Sequence, residues 1–354
     1  MDATSPTALF LCDGYRDIGL GHVSRCIALA EGLDELGVAC HFHGCFEAGA
    51  QELLTSAGFP FEHGAAPMGV DSLRDTVARI SRAKPSLAIL DSYAIDAGYV
   101  AAISEATGAT VVIDDFASLT AYPCSAILNP GIEGPRLAYP SHQAQAWLGT
   151  EYTLFRRRLR ELRPASLARD RNKCETVLIS IGGVDRYDLT LRCGMALSAV
   201  AEGLEQKPAA YFVVGKSHGK VEALEALASQ FAEGSAVHVQ TPGLGHLLEK
   251  ADLCICGGGL TKYEAAFMGV PSFVVAQSED QGHESAFFAD RGLCFCAGMG
   301  VDLSDSEIER ALRRYLRDKT MRNIHIQNMG CLFPTDPTLN VAACIYTTLF
   351  NIND

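Results

Sequence analysis

Short, mainly apolar runs recur along this chain, and most are separated by amphipathic stretches of helical period instead of hairpin turns. The runs fall at 8–12, 39–43, 87–90, 110–113, 126–128, 176–181, 210–214, 236–240, 253–256, 272–276 and 293–296. A strand that is apolar on both faces must be covered on both faces. Joined by helices, such strands form parallel sheets with right-handed crossovers. The chain has 354 residues, more than one hydrophobic core usually organises, so two domains are expected. The boundary is placed in 156–173, a charged stretch containing Pro164 that separates one strand-helix series from the next. The expected domains are 1–160 and 170–354, with a last helix near 339–350 packing back on the first domain.

Two glycine-rich loops stand at strand ends. In the second half, Asp252-Leu-Cys-Ile-Cys-Gly257 runs into Gly258, Gly259, Leu260 and Thr261, then a helix carrying Glu264 about one turn in. Glycines let a ligand approach the backbone closely. The helix start adds unpaired N–H groups and the positive end of its dipole, so the segment suits an anion. A carboxylate at Glu264 can accept two hydrogen bonds from a ribose diol while phosphates rest on the loop. Leu260, Thr261 and the three glycines are therefore nucleotide-binding candidates with Glu264. Near the N-terminus, a strand leads through Asp13 into Gly19-Leu20-Gly21-His22, and Val23, Ile27 and Ala30 mark one face of the helix that follows. An imidazole, which ordinarily titrates near about pH 6.5, can act as a general base from such a loop. His22 shares its loop with Asp13, Asp17 and Arg25; His22 and Asp13 are the catalytic candidates. A third loop, Ser180-Ile-Gly-Gly183-Val-Asp185, follows the first strand of the second half.

Ligands of open parallel sheets bind outside the carboxyl ends of the strands. Three glycine loops at such ends lead to an α/β architecture of glycosyltransferase-B type, two Rossmann-like domains with parallel sheets facing a cleft. The net charge of −13 argues against a nucleic-acid surface, while local helix termini can still hold a diphosphate. No apolar run reaches the roughly twenty residues of a membrane span, and the N-terminus shows no basic segment followed by an apolar core, so a cytoplasmic protein without membrane insertion is expected. The 13 cysteines are scattered through apolar segments without paired C-x-x-C knuckles, which favours buried, reduced thiols over a metal site.

The motifs together resemble a known family. Ile18-Gly-Leu-Gly-His22-Val-Ser-Arg25, Asp91-Ser-Tyr93, Ile113-Asp-Asp115, Ser180-Ile-Gly-Gly-Val-Asp185, Gly257-Gly-Gly-Leu-Thr-Lys-Tyr-Glu264, Gly269-Val-Pro271 and Asp280-Gln281 occur in the order and approximate spacing of the pseudaminic-acid-pathway hydrolases. These act on UDP-2,4-diacetamido-2,4,6-trideoxy-β-L-altropyranose, and glycosyltransferase-like spore-coat polysaccharide proteins are close relatives. The resemblance covers roughly residues 8–300. It implies that His22 activates water, that Glu264 binds the ribose and that Gly258 and Gly259 hold the diphosphate. It also implies that Asp280 and Gln281 lie near the sugar, with Gly183 at the nucleotide and Gly19, Gly21, Arg25, Tyr93 and Asp185 at the substrate. The hydrolases usually carry Asn-Gln where this chain has Asp280-Gln281, and Met where it has Ser24.

The implied reaction is inverting displacement of UDP at an anomeric carbon, with a small-molecule nucleotide sugar as the partner and no cofactor. Attack by water makes the chain a hydrolase; attack by a sugar hydroxyl, from a UDP- or CMP-sugar to a glycan or protein acceptor, makes it a glycosyltransferase. A non-enzymatic sensor would keep Glu264 and dispense with His22. A nicotinamide dehydrogenase is disfavoured, because the Gly19-x-Gly21 loop lacks a third glycine and the second strand ends in His41 to His43 instead of an acidic residue.

Overall fold

The computed structural model describes residues 6–15, 17–140, 143–216 and 218–350. One compact unit takes Met1–Arg157 with Thr335–Asp354, and the other takes Arg158–Pro334.

In the first unit, strands β1 (Thr7–Cys12), β2 (Ala39–Gly44), β3 (Phe61–His63), β4 (Leu87–Asp91), β5 (Thr110–Ile113), β6 (Ala126–Asn129) and β7 (Gln145–Leu148) form a seven-stranded sheet ordered β3-β2-β1-β4-β5-β6-β7. Every neighbouring pair is parallel. Successive β1 side chains feed opposite faces, as the two-residue period requires. Ala8, Phe10 and Cys12 join Val23, Ile27 and Ala30 in one core, while Leu9 and Leu11 join Leu90 and Ile103 in the other. Phe10 stacks on Phe42 of β2 with ring centroids 4.8 Å apart.

The second unit repeats the plan with β8 (Thr176–Ser180), β9 (Ala209–Val214), β10 (Ala236–Val239), β11 (Leu253–Gly257), β12 (Ser272–Ala276) and β13 (Phe295–Met299), ordered β10-β9-β8-β11-β12-β13 and again parallel. In both sheets the order reverses beside the first strand, between β1 and β4 and between β8 and β11. Parallel sheets open a crevice for ligands at such a point.

Two strands, β3 and β7, escape the sequence pattern. Both are edge strands of three and four residues with mixed exposure, so they lack the continuous apolar run that marks the interior ones. The run at 293–296 pairs two residues later than its hydrophobicity suggests, as β13, with a register shift opposite Val274 and Val275. The charged stretch after Arg156 folds as a helix, Arg157–Leu167, with Pro164 inside it. The last helix, Pro337–Leu349, belongs to the first unit, where it packs on helix Gly21–Asp34. Pro337 opens it without wasting a backbone donor, and Asp336 caps the N–H groups of Thr338 and Leu339. The two helices approach so closely at Gly32 that a β-carbon there would lie 3.2 Å from Ala342 Cβ. Among the described residues no helix is long and apolar enough to cross a membrane.

Candidate functional site

In the first unit the β1–β4 switch point gathers a buried charged cluster. Asp91 ends β4 and is completely buried; His22 and Arg25 come from the first two turns of the helix that follows β1. Asp91 Oδ1 receives His22 Nδ1 at 2.6 Å and Arg25 Nη2 at 2.5 Å. Its Oδ2 receives Arg25 Nε at 2.6 Å and the Cys26 thiol at 3.5 Å. A carboxylate offers about four lone-pair directions, and here all four are taken. Burial alone would raise the Asp91 pKa, but Arg25 and then His22 outweigh it and hold the carboxyl well below the usual carboxylate range. Ionised Asp91 can only accept, so His22 Nδ1 carries a proton, and in the neutral imidazole that leaves the lone pair on Nε2. That is the tautomer a general base needs.

Arg25 continues the chain of bonds to Asp115, at the end of β5, with Nη1 donating to both carboxylate oxygens at 2.9 and 2.6 Å. Burial lowers the guanidinium pKa, but Asp115 and Asp91 raise it well above its ordinary value, so Arg25 is a permanent cation. Tyr93 donates to Asp115 Oδ2 at 2.5 Å and sets its ring edge-on to His22, with centroids 4.6 Å apart. More than half of Tyr93 and of its neighbour Phe116 stays exposed, 55% and 52%, so exposed aromatic surface borders the buried His22.

Asp13 stands apart from this network. Its oxygens accept the backbone N–H groups of Cys45 and Met68, both at 2.7 Å, which ties together the loops after β1, β2 and β3. Asp13, a catalytic candidate from the sequence, thus bonds to the backbone, and Asp91 orients the imidazole. Gly19 takes φ of +75°, which favours glycine, and neither Gly19 nor Gly21 has a neighbour within 4 Å of a would-be β-carbon. Both glycines border open space.

In the second unit β11 ends at Gly257, and Gly259 opens helix Leu260–Phe267 with no side chain capping it. A β-carbon on Gly257 would lie 2.2 Å from the Ile181 carbonyl oxygen, and one on Gly258 would lie 2.7 Å from Ser285 Oγ and 2.8 Å from Gln281 Cβ. These glycines are required by close packing against the neighbouring loop and against helix Glu279–Asp290. Gly259 differs, since nothing comes nearer than 4.0 Å. Gly183 is equally open, and Gly182 takes φ of +134°. Thr261 and Glu264 lie half-buried on helix Leu260–Phe267, while Leu260 is 45% exposed. Gln281 accepts the Gln277 N–H at 3.1 Å, and Asp280 is exposed in the first turn of its helix. Asp185, expected at the substrate, accepts the Leu189 and Thr190 N–H groups at 2.8 and 2.7 Å and so caps helix Leu189–Ala201.

The structure adds Asp91, Asp115, Lys262 and Glu284 to the sequence-derived candidates. Asp91 and Asp115 had a signal: Asp91 closes one apolar strand and Asp115 stands two residues past another.

These features define an α/β protein of the glycosyltransferase-B fold, two Rossmann-like units each with a parallel sheet and a glycine loop at its switch point. No protein-family model matches the chain. It is similar to the spore coat polysaccharide biosynthesis protein SpsG of Bacillus subtilis, 24% identical over 316 residues that cover 88% of this chain and 89% of that protein. Its fold matches the crystal structure of Acinetobacter baumannii MurG, with TM-score 0.65 and 16% identity over 96% of this chain and 99% of that one. It also matches the spinosyn rhamnosyltransferase SpnG complexed with thymidine diphosphate, with TM-score 0.62 and 15% identity over 97% and 99%.

Proposed function

We propose that the chain is a nucleotide-sugar glycosyltransferase that displaces a nucleoside diphosphate from an anomeric carbon with inversion. The observation that carries this reading is the His22–Asp91 pair: an imidazole whose Nδ1 is committed to a buried, ionised carboxylate, which leaves Nε2 as the base. The reaction needs two services. The leaving diphosphate gains negative charge, which backbone N–H groups at Gly259 and the following helix start can stabilise without reorganising. The attacking hydroxyl must lose a proton, and Nε2 of His22 takes it. Arg25, Asp115 and Tyr93 hold the acidic end of this network in place. Asp13 and Asp185 serve the backbone around the two loops. The similarity to SpsG, named for polysaccharide biosynthesis, and the fold shared with SpnG, a rhamnosyltransferase complexed with thymidine diphosphate, support the choice of transfer over hydrolysis.

Hydrolysis of a UDP-linked diacetamido-trideoxy hexose is the second reading. It is favoured by the Gly19-Leu20-Gly21-His22 segment with Asp91-Ser-Tyr93, which a water-activating site would also use. Incubation with UDP-, dTDP- and CMP-sugars, with and without acceptors, separates the two. A transferase without its acceptor leaks slowly, because acceptor binding positions the nucleophile and excludes water. Nucleotide release should rise about a hundredfold or more when a glycan acceptor is added, with the sugar recovered on it. Steady release of free sugar at about 1–1000 per second without acceptor replaces the transferase with the hydrolase.

Glu264 supplies a further expectation. Glu264→Gln keeps the shape and removes the charge, so UDP affinity should fall by about 1.5–3 kcal/mol, the range for hydrogen bonds to a charged group. Calorimetry with UDP and 2′-deoxy-UDP checks it: the deoxy nucleotide should already lack most of that difference against the unaltered protein. Equal binding of the two nucleotides removes Glu264 as the ribose clamp.

A further inference from the structure

Lys262 stands in the middle of the glycine-loop segment, where a lysine would ordinarily be assigned to a phosphate as a point charge. Its geometry points elsewhere. Lys262 is completely buried, and its Nζ turns back under the loop to donate to the Gly258 carbonyl oxygen and, at 2.5 Å, to Glu284 Oε2. Glu284 Oε1 accepts the Tyr263 hydroxyl at 2.5 Å, and the ammonium lies 4.9 and 5.4 Å from the ring centroids of Tyr263 and Phe288. A buried ammonium persists only where it is paired and hydrogen-bonded, and these contacts supply that. They also leave it facing the underside of the loop.

Resting on the nucleotide reading above, we infer that Lys262 is a positioning residue for the diphosphate, acting through the backbone and without touching phosphate. A trans peptide is planar, with its C=O and N–H pointing in opposite directions. By holding the Gly258 carbonyl inward, Lys262 turns the N–H of the same peptide, that of Gly259, outward. There a would-be Gly259 β-carbon meets nothing nearer than 4.0 Å. Glu284 in turn keeps the ammonium from reaching past the loop. It shares helix Glu279–Asp290 with Gln281 and Ser285, which press on Gly258 from the same side, so this helix and Lys262 together fix the plane of one peptide.

The test compares UDP with uridine, which lacks the phosphates, in the full-length protein and in the double variant Lys262→Met with Glu284→Gln, which removes both charges and leaves no buried ion unpaired. UDP affinity should fall about tenfold or more, as expected for losing one charge-assisted backbone contact. Uridine affinity should stay within about twofold, so the ratio of the two collapses. A merely structural role would weaken both ligands alike, and an unchanged ratio overturns the inference. The second measurement needs no variant: the Gly259 amide resonance of the unaltered protein should shift strongly on UDP addition and little on uridine addition, and an amide indifferent to UDP also overturns it. Failure of the unaltered protein to bind UDP overturns the nucleotide reading itself, and this inference with it.

Discussion

Replacing His22 with alanine should lower turnover by about 100- to 10,000-fold while leaving UDP binding nearly intact. The separation follows from where the histidine sits. Its bonds run to Asp91 within the first unit, whereas the glycine loop and Glu264, proposed to hold the nucleotide, belong to the second. Removing the base therefore takes away a proton acceptor needed in the transition state and leaves the proposed ground-state contacts to ribose and diphosphate untouched. Calorimetry with UDP and single-turnover rates measure the two effects independently. A variant that loses UDP binding yet keeps its residual rate per bound substrate contradicts the assignment of His22 as base, as does one with unchanged turnover, and UDP binding without any turnover in the unaltered protein favours a sensor.

His22 and the glycine loops were legible in the sequence because their signals are local: an apolar strand, a glycine turn and a helix within about twenty residues. The parallel architecture was legible for the same reason, since each interior strand carries its own apolar run. What was not legible depends on which strands become neighbours. Asp91 lies 69 residues beyond His22, and only the β1–β4 adjacency brings them together. Glu284 meets Lys262 across 22 residues because its helix packs over the loop after β11. Asp13 and Asp185 show the limit of a local signal. An acidic residue beside a glycine turn looks the same whether it serves a ligand or the backbone, and in both cases nearby N–H groups took the carboxylate. The edges β3 and β7 are short and half-exposed, so no hydrophobic pattern announces them.

Asp91→Asn should be nearly as damaging to turnover as the loss of His22, while affecting stability in a way that reveals its charge. An asparagine amide can present its N–H₂ to Nδ1, which selects the tautomer with the proton on Nε2 and removes the base. Where a buried carboxylate holds a catalytic histidine, that exchange costs up to about 10,000-fold in turnover. The stability cost should stay below the about 3–5 kcal/mol of a fully orphaned buried charge, because Asp115 still pairs with Arg25. The pH dependence fixes the cause. The folded-state pKa of Asp91 is depressed below its unfolded value of about 4, so its contribution is complete above that value and drains away as the pH falls through it towards the folded one. The Asp91 carboxylate's own contribution to the stability gap between the unaltered protein and Asp91→Asn should accordingly be complete at pH 5. Below about pH 4 the gap should narrow by up to about 1.4 kcal/mol per pH unit. Urea midpoints at pH 7, 5, 4 and 3 measure it. A gap that stays level down to pH 3 would mean that the Asp91 pKa is not depressed in the folded protein, and the case for Arg25 and His22 holding it as a carboxylate would go with it.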